Sequence, residues 1–384
     1  MEKNPVSMDT EKNIALRKEA VSASRQIIVK AGTRLLIDRE SIAKLVDGIA
    51  LLRQRGHRVL LVTSGAVGMG MELAGLEKRP KELAQKQALA AMGQARLMSI
   101  YAEEAARHGF QVAQLLLTAS DLRNRSRYLN VMNCINALWE RDVLPIVNEN
   151  DSVSVAELKF GDNDTLAGML TSLTGAQMTI LLTTVDGLLK RNSDGTLGDR
   201  IPVVEKITDK IRGLAGNTDD SELSTGGMAS KLRAAGLSTA SGAWLWIADG
   251  RMPDIIARML EGDDTGTLFL PEEHKVPGRK RWFGFFSRIS GEIIVDAGAQ
   301  QAVAVKGGSL LPSGVTDVAG DFKRGDTVDI CGADGRPFAR GLVNFDSADC
   351  RKIMGKHTVE LPEILGTSAE AELIHRDHLI LLER

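Results

Sequence analysis

The strongest constraint on this chain is an alternation. From Gln26 to about Leu270, short apolar runs that end in small or polar residues are separated by stretches with helical spacing of apolar positions. "QIIVKAG" reads as a strand, residues from about Ser41 to Arg55 as a helix, and "VLLVTSGAVG" as a strand that opens a second helix. "KELAQKQALAAMGQARLMSIYAEEAARHG" reads as one long helix or a broken pair, with a Met and Leu stripe facing the core or another subunit. "VAQLLLT" is a strand, "YLNVMNCINALWERD" a helix and "VLPIVNEN" the next strand, entered through Asp142 and Pro145. A helix beginning near Asp164, the strand "MTILLTT", a hairpin around "NSDGTLGD", a helix after Gly227 and the strand "WLWIADG" complete the series. Repeated βαβ units imply an α/β fold with one open, mainly parallel sheet flanked by helices.

At 384 residues the chain is longer than one ordinary domain. After Pro271 the texture changes: "PEEHKVPGRKRWFGFFSR" is polar and basic, and glycine-dense short β-type runs follow. The expected division is an N-terminal tail over residues 1–20, a catalytic domain over 21–275, a linker over 276–290 and a small β-rich domain over 291–384. The net charge of -2 offers no global attraction to nucleic acid or anionic membranes, so an anionic substrate would need local positive charge. No apolar run reaches 18 residues and the first 20 lack an apolar core, which argues against membrane spanning and secretion. Cys134, Cys331 and Cys350 are too few and too scattered for a disulfide framework or a metal site, and suit reduced thiols in the cytoplasm.

In an open parallel sheet, ligands bind beyond the carboxyl ends of the strands. Three glycine-containing segments fall there: Ala31-Gly32-Thr33 after Lys30, Ser64-Gly65-Ala66 opening a helix, and Thr225-Gly226-Gly227-Met228-Ala229-Ser230-Lys231 opening another. Glycines let backbone N–H groups approach phosphate, a helix N-terminus adds about half a positive charge, and a lysine adds a whole one. One such turn is as often structural as functional, but three on one sheet edge suggest an anion cradle. Lys30 and Lys231 are the candidate catalytic cations, although a solvated strand end and an exposed helix face are their bland readings. "VNENDSVSVAELKFGDND", Val147 to Asp164, gathers Asn148, Glu149, Asn150, Asp151, Glu157, Asp162, Asn163 and Asp164 in one loop after an apolar strand. Such groups could accept from an ammonium, position lysines or hold magnesium through water, or form only a solvated loop. With Ser64 and its helix N-terminus facing a carboxylate and Asp151 an amine, the site suits an amino-acid acceptor.

Rival chemistries lack support. No Walker A sequence, protein-kinase signature, G-x-S-x-G or H-E-x-x-H is present, and the six histidines are scattered. "RKRWFGFF" combines cations with aromatics, as single-stranded RNA binders do, but residues 276–384 hold 14 Lys/Arg against 15 Asp/Glu. An RNA-binding regulatory role is therefore disfavoured, and packing between domains is the better reading of Trp282, Phe283, Phe285 and Phe286.

The motifs "VKAGT", "VTSGAVG", "KQALAAMGQARLM", "QLLLT", "LPIVNENDSV", "FGDNDTLAG", "STGGMASKL", "GTLF", "RKRW", "GEIIVDAGA" and "SLLPSGV" span about residues 25 to 370. Together they resemble the amino acid kinase family, in its glutamate-phosphorylating members with a C-terminal PUA domain. The resemblance implies ATP-dependent phosphorylation of the L-glutamate γ-carboxylate to L-glutamyl 5-phosphate, the first step towards proline, with magnesium. It further brings in feedback inhibition by proline, a homo-oligomer, and glutamate-5-semialdehyde dehydrogenase as a candidate partner. By motif, Lys30 and Lys231 would neutralise the transferring phosphoryl group, Asp164 would orient them, and Ser64, Asp151 and Asn163 would hold glutamate. Thr183 and Thr184, with Asp186 and Gly187 after them, would border the nucleotide together with Thr225, Gly226, Gly227, Met228, Ala229, Ser230 and Lys231. Two departures from the family pattern stand out: Arg34 follows Thr33 where serine is usual, and "TTVDG" replaces a common Thr-Asp pair. Acetylglutamate kinase and aspartokinase types share this fold, but an acetylated amine would not need a carboxylate partner such as Asp151.

Overall fold

The computed structural model describes residues 5–153, 162–191, 196–215, 227–272, 289–365 and 371–382. The chain forms two compact units, one of Met1–Asp121 and Ser126–Lys275, the other of Leu122–Arg125 and Val276–Arg384.

From Pro5 to Glu149 the elements run α1 (Pro5–Ser22), β1 (Gln26–Ala31), α2 (Arg39–Gln54), β2 (Arg58–Val62), α3 (Ala66–Leu73), α4 (Leu83–Arg107), β3 (Val112–Leu117), α5 (Ala119–Arg123), α6 (Arg125–Glu140) and β4 (Leu144–Glu149). They continue through α7 (Asn163–Thr174), β5 (Met178–Thr183), β6 (Leu189–Arg191), β7 (Leu197–Arg200), β8 (Val203–Val204), α8 (Asp209–Gly213), α9 (Met228–Ala240), β9 (Trp244–Asp249), α10 (Ile255–Leu260) and β10 (Thr267–Phe269). Eight strands form the main sheet in the order β3-β4-β2-β1-β5-β9-β10-β8. Every pairing from β3 to β9 is parallel, while β10 runs antiparallel to β9 and β8 parallel to β10.

The central strands are apolar without alternation because helices cover both faces. Ile27, Val29, Leu61, Ile146, Ile180 and Trp246 are buried with Ile42, Val46 and Ile49 of α2 and Leu97 and Tyr101 of α4. Helix boundaries follow local chemistry: Asp38 caps α2 by accepting from the Ser41 N–H at 2.8 Å, and Asp162 caps α7 by accepting from the Thr165 N–H at 2.7 Å. The segment after Lys81 is a single helix, α4, rather than a broken pair. It crosses α3 at a distance only glycine permits, because a Cβ on Gly93 would lie 1.8 Å from the Ala66 carbonyl oxygen and one on Gly70 2.0 Å from that of Leu89.

Two expectations need correcting. Pro5–Ser22, expected as a loose tail, forms a helix: Ala20 is wholly buried, Leu16 and Val21 pack on the core, and the buried Arg17 ion-pairs with Asp264 at 2.8 Å. The polar segment Val147–Asp164 is not one loop either. Pairing with β3 carries β4 through Asn148 and Glu149, while Asn163 and Asp164 open α7; both ends are ordered because their side chains find partners inside the protein. Glu157 lies outside the described residues, as do the turn of the β6–β7 hairpin and Trp282, Phe283, Phe285 and Phe286.

The second unit is β-rich. Strands β11 (Ile289–Val295), β12 (Val315–Gly320), β13 (Thr327–Cys331), β14 (Pro337–Leu342) and β15 (Leu379–Leu381) form a sheet in the order β12-β11-β13-β14-β15. Its core holds Ile293, Val295, Val328, Ile330, Phe322 and Ile353.

Candidate active site

A cavity of about 530 Å³ opens at the carboxyl ends of the parallel strands. From β1 come Lys30 and the turn Gly32, Thr33 and Arg34; from β2, Ser64 and Gly65; from β4, Asn148, Glu149 and Asp151; from β5, Thr183 and Thr184. Adjacent strands in the sheet thus place residues far apart in sequence on one wall.

At its floor is a buried ion triad. The Lys30 Nζ lies 2.5 Å from Asp164 Oδ1 and the Lys231 Nζ 3.0 Å from Asp164 Oδ2, to which the Ser230 hydroxyl also donates at 3.1 Å. Asp164 is 0% exposed, Lys30 7% and Lys231 5%. Burial pushes the Asp164 carboxyl up and is the largest single influence; Lys30 and then Lys231, through charge and hydrogen bonds, outweigh it and hold the group at about 2, below its ordinary 3.8. One buried carboxylate therefore stays ionised and fixes two ammonium groups, leaving the triad with a net positive charge.

Two helix N-termini flank the triad. Gly65, at φ +100, stands at the N-cap of α3 shortly after β2, a backbone conformation that only glycine adopts freely, and no side chain caps the helix. Gly227 begins α9, also without a side-chain cap, and lines the cavity with Met228. The first N–H groups of a helix have no partner within it, so both ends can receive anion oxygens.

On the β2–β4 flank lies an amide and hydroxyl cluster. Asn163 Nδ2 is 2.8 Å from the Thr63 carbonyl, 2.9 Å from Ser64 Oγ and 2.9 Å from Asn148 Oδ1, and Asn148 donates to Gln94 Oε1 at 2.9 Å. The Asn163 Oδ1 is buried with no hydrogen-bond partner, as is Gln94 Nε2, so the cluster holds unspent polar capacity beside the cavity. The β5 flank is apolar, with Val185, Leu188, Leu189, Leu197, Leu214 and Ala215 on the wall and Arg191 among them.

The expected residues Lys30, Lys231, Asp164, Ser64, Asp151, Asn163, Thr183, Thr184, Gly227 and Met228 all line this cavity or touch its floor. Ser230 is behind the lysines on Asp164, and Ala229 is not on the wall. Thr225 and Gly226 lie outside the described residues. The sequence placed Asn148 in the polar segment without a role of its own, and gave none to Gln94 or Arg79. Asn148 could have been found as a polar residue at the carboxyl end of an apolar strand, and Gln94 as a polar interruption of an apolar helix stripe, whereas nothing local marks Arg79.

The profile of the amino acid kinase family matches residues 25–247, and that of the PUA domain matches residues 291–365. The chain belongs to the amino acid kinase family. Within the family it is similar to glutamate 5-kinase of Trichlorobacter lovleyi, 41% identical over 374 residues that cover 96% of this chain and 99% of that one. It is similar too to glutamate 5-kinases of Desulfotalea psychrophila, at 43% identity over 96% of this chain and 99% of that one, and Moorella thermoacetica, at 43% over 94% and 98%. The solved structure of carbamate kinase from Giardia lamblia bound to AMP-PNP aligns with a TM-score of 0.46 at 17% identity, covering 65% of this chain and 100% of that chain. Among the described residues no helix is long and apolar enough to cross a membrane.

Proposed function

We propose that this amino acid kinase transfers the γ-phosphoryl group of ATP to the γ-carboxylate of L-glutamate, forming L-glutamyl 5-phosphate in the first step of proline biosynthesis. The observation that carries the reading is the Lys30–Asp164–Lys231 triad, set between two uncapped helix N-termini with a polar flank on one side and an apolar flank on the other. The overall resemblance to glutamate 5-kinases over nearly the whole chain supports glutamate over sibling acceptors.

A carboxylate is ionised at neutral pH, so the nucleophile needs no general base. A γ-carboxylate oxygen forms the new bond to the γ-phosphorus as the bond to the β,γ-bridging oxygen breaks, and ADP leaves with that electron pair. The barrier the protein must lower is repulsion between anions and the entropy of alignment. Lys30 and Lys231 answer the repulsion, and Asp164 keeps both in place before substrate arrives, so little reorganisation is needed at the transition state. Ser64 and the α3 N-terminus would take the α-carboxylate, and Asp151 with the unpartnered Asn163 Oδ1 the ammonium. Thr183, Thr184 and the apolar β5 flank would border the nucleotide, and its phosphates would lie at the α9 N-terminus beside Gly227 and Met228.

Among the described residues no cluster of three or more His, Cys, Asp or Glu could hold a metal. Asp162 fits an indirect role: its Oδ2 is buried in the cavity wall without a hydrogen bond, 3.7 Å from Arg233, and could hold a nucleotide-borne magnesium ion through water. When bound, magnesium would add positive charge at the phosphate oxygens. The same reading includes proline as feedback inhibitor, a homo-oligomer, glutamate-5-semialdehyde dehydrogenase as consumer of the labile acyl phosphate, and a cytoplasmic location consistent with three free cysteines.

Purified protein given ATP, L-glutamate and hydroxylamine should yield glutamyl hydroxamate, with aspartate and N-acetylglutamate far poorer acceptors. ADP release with either of those two, and none with glutamate, would overturn the assignment.

A further inference from the structure

Arg17 is 0% exposed, yet lies outside the segment matched by the amino acid kinase profile. Its Nη2 donates to the carbonyls of Pro202, Thr265 and Gly266 at 3.1, 3.4 and 3.3 Å and pairs with Asp264 at 2.8 Å, while its guanidinium carbon stands 5.3 Å from the Trp246 ring centroid. Asp264 is shared: Arg200 Nη1 reaches its carboxylate at 3.2 Å and Arg200 Nη2 its carbonyl at 2.9 Å, and Arg200 also contacts the Gly266 carbonyl. Arg200 Nε lies 3.5 Å from Asp186 Oδ2, and Asp186 Oδ1 accepts from the Gly266 N–H at 3.0 Å. Asp186 precedes Gly187, Leu188 and Leu189 on the cavity wall.

No slack separates this network from the wall. Gly187 has φ +86, and a Cβ there would meet Thr267 Oγ1 at 2.4 Å and the Thr267 nitrogen at 2.7 Å. The Leu188 N–H donates to the same Thr267 hydroxyl at 2.8 Å, and that hydroxyl donates to the Ile201 carbonyl at 2.6 Å. Displacing the Asp264–Gly266 turn must therefore displace Gly187 and Leu188.

We infer that Arg17 is a positioning residue for the nucleotide side of the site, by which α1 holds the Asp186–Leu189 wall through Asp264, Arg200 and Asp186. A buried ion pair is a poor means of gaining stability alone, since burial disfavours the charged guanidinium and its Nε has no hydrogen bond. What the charge does supply is one fixed geometry for three carbonyls and a carboxylate at once, the specificity role of buried polar networks.

The inference rests on the kinase reading, but its test separates the two. Binding of ADP is measured by calorimetry on the full chain, and KM for ATP and for L-glutamate are measured alongside thermal unfolding. Arg17→Met keeps the bulk against Trp246 and removes the charge; Asp264→Asn keeps Arg17 and weakens its links to Arg200. Both should weaken ADP binding and raise KM for ATP by about five- to tenfold, with KM for glutamate changed less than about twofold. Arg17→Lys should recover part of the loss. Wild-type protein that binds no ADP would sink the kinase reading itself. A folded Arg17→Met with unchanged ADP affinity, or equal rises in both KM values, would overturn the positioning role; if Arg17→Met does not fold, Asp264→Asn decides on the same criteria.

Discussion

Replacing Asp164 by asparagine keeps the shape of the floor and removes the charge that holds Lys30 and Lys231. Both ammonium groups would then be buried within a few ångströms of each other with no carboxylate between them. Breaking a buried pair in this way costs about 3–5 kcal/mol, because the uncompensated charge is left in place. The wild-type carboxyl gives an independent scale: its fall from 3.8 to about 2 corresponds to roughly 2 kcal/mol of stabilisation of the folded state. Since the folded value is the depressed one, that contribution is full above pH 3.8 and is lost as pH falls towards 2. Asp164→Asn should therefore lower the unfolding free energy at pH 7 by about 2–4 kcal/mol, with the difference from wild type shrinking as both are taken below pH 3.8. It should also cut kcat in the hydroxamate assay by about 10²–10³, through loss of preorganised charge. Denaturant unfolding across pH and steady-state turnover test the two arms. A variant with wild-type stability at pH 7 and wild-type kcat would show that the triad is neither an anchor nor a catalytic device.

Lys231→Ala or Lys30→Ala should each remove about 3–4 kcal/mol of transition-state stabilisation, read as kcat/KM for hydroxamate formation, and wild-type turnover in either would exclude it from phosphoryl transfer. Asp151→Ala should chiefly raise KM for L-glutamate, so that lost kcat at an unchanged KM would move Asp151 to another role. Gly93→Ala places a methyl 1.8 Å from the Ala66 carbonyl oxygen; forcing α3 and α4 apart should cost about 2 kcal/mol or more in unfolding free energy and shift the α3 N-terminus at the site. Unfolding midpoints and KM for glutamate check both effects.

Most of the α/β unit was legible because strands buried on both faces write themselves as unbroken apolar runs, and the strand-end rule then pointed to Lys30 and Ser64, while Thr183 came only from the resemblance. The meeting of Lys30, Asp164 and Lys231 was reached only through resemblance, since it depends on strand order, which periodicity does not encode. Asn148 and Glu149 were read both as the end of the strand "VLPIVNEN" and as part of the polar loop, because polar side chains mask backbone pairing that β3 continues. The tail reading failed for a related reason: one buried arginine bound to carbonyls over 180 residues away looks, in sequence, like a solvated charge. The small crossing residues Gly70 and Gly93 drew no reading of their own from the sequence, because close approach of two helices is a tertiary fact.

The placement of β1 between β2 and β5 has a consequence for how such a kinase can diversify. Groups that would recognise the acceptor follow β2 and β4, those that would recognise the donor follow β5 and open α9, and only the lysine-bearing centre belongs to both. Acceptor choice and donor choice should then behave as separable traits. Mutant libraries confined to Ser64, Asn148, Asp151 and Asn163 can be screened for new amino-acid acceptors while the affinity for ATP stays near its starting value.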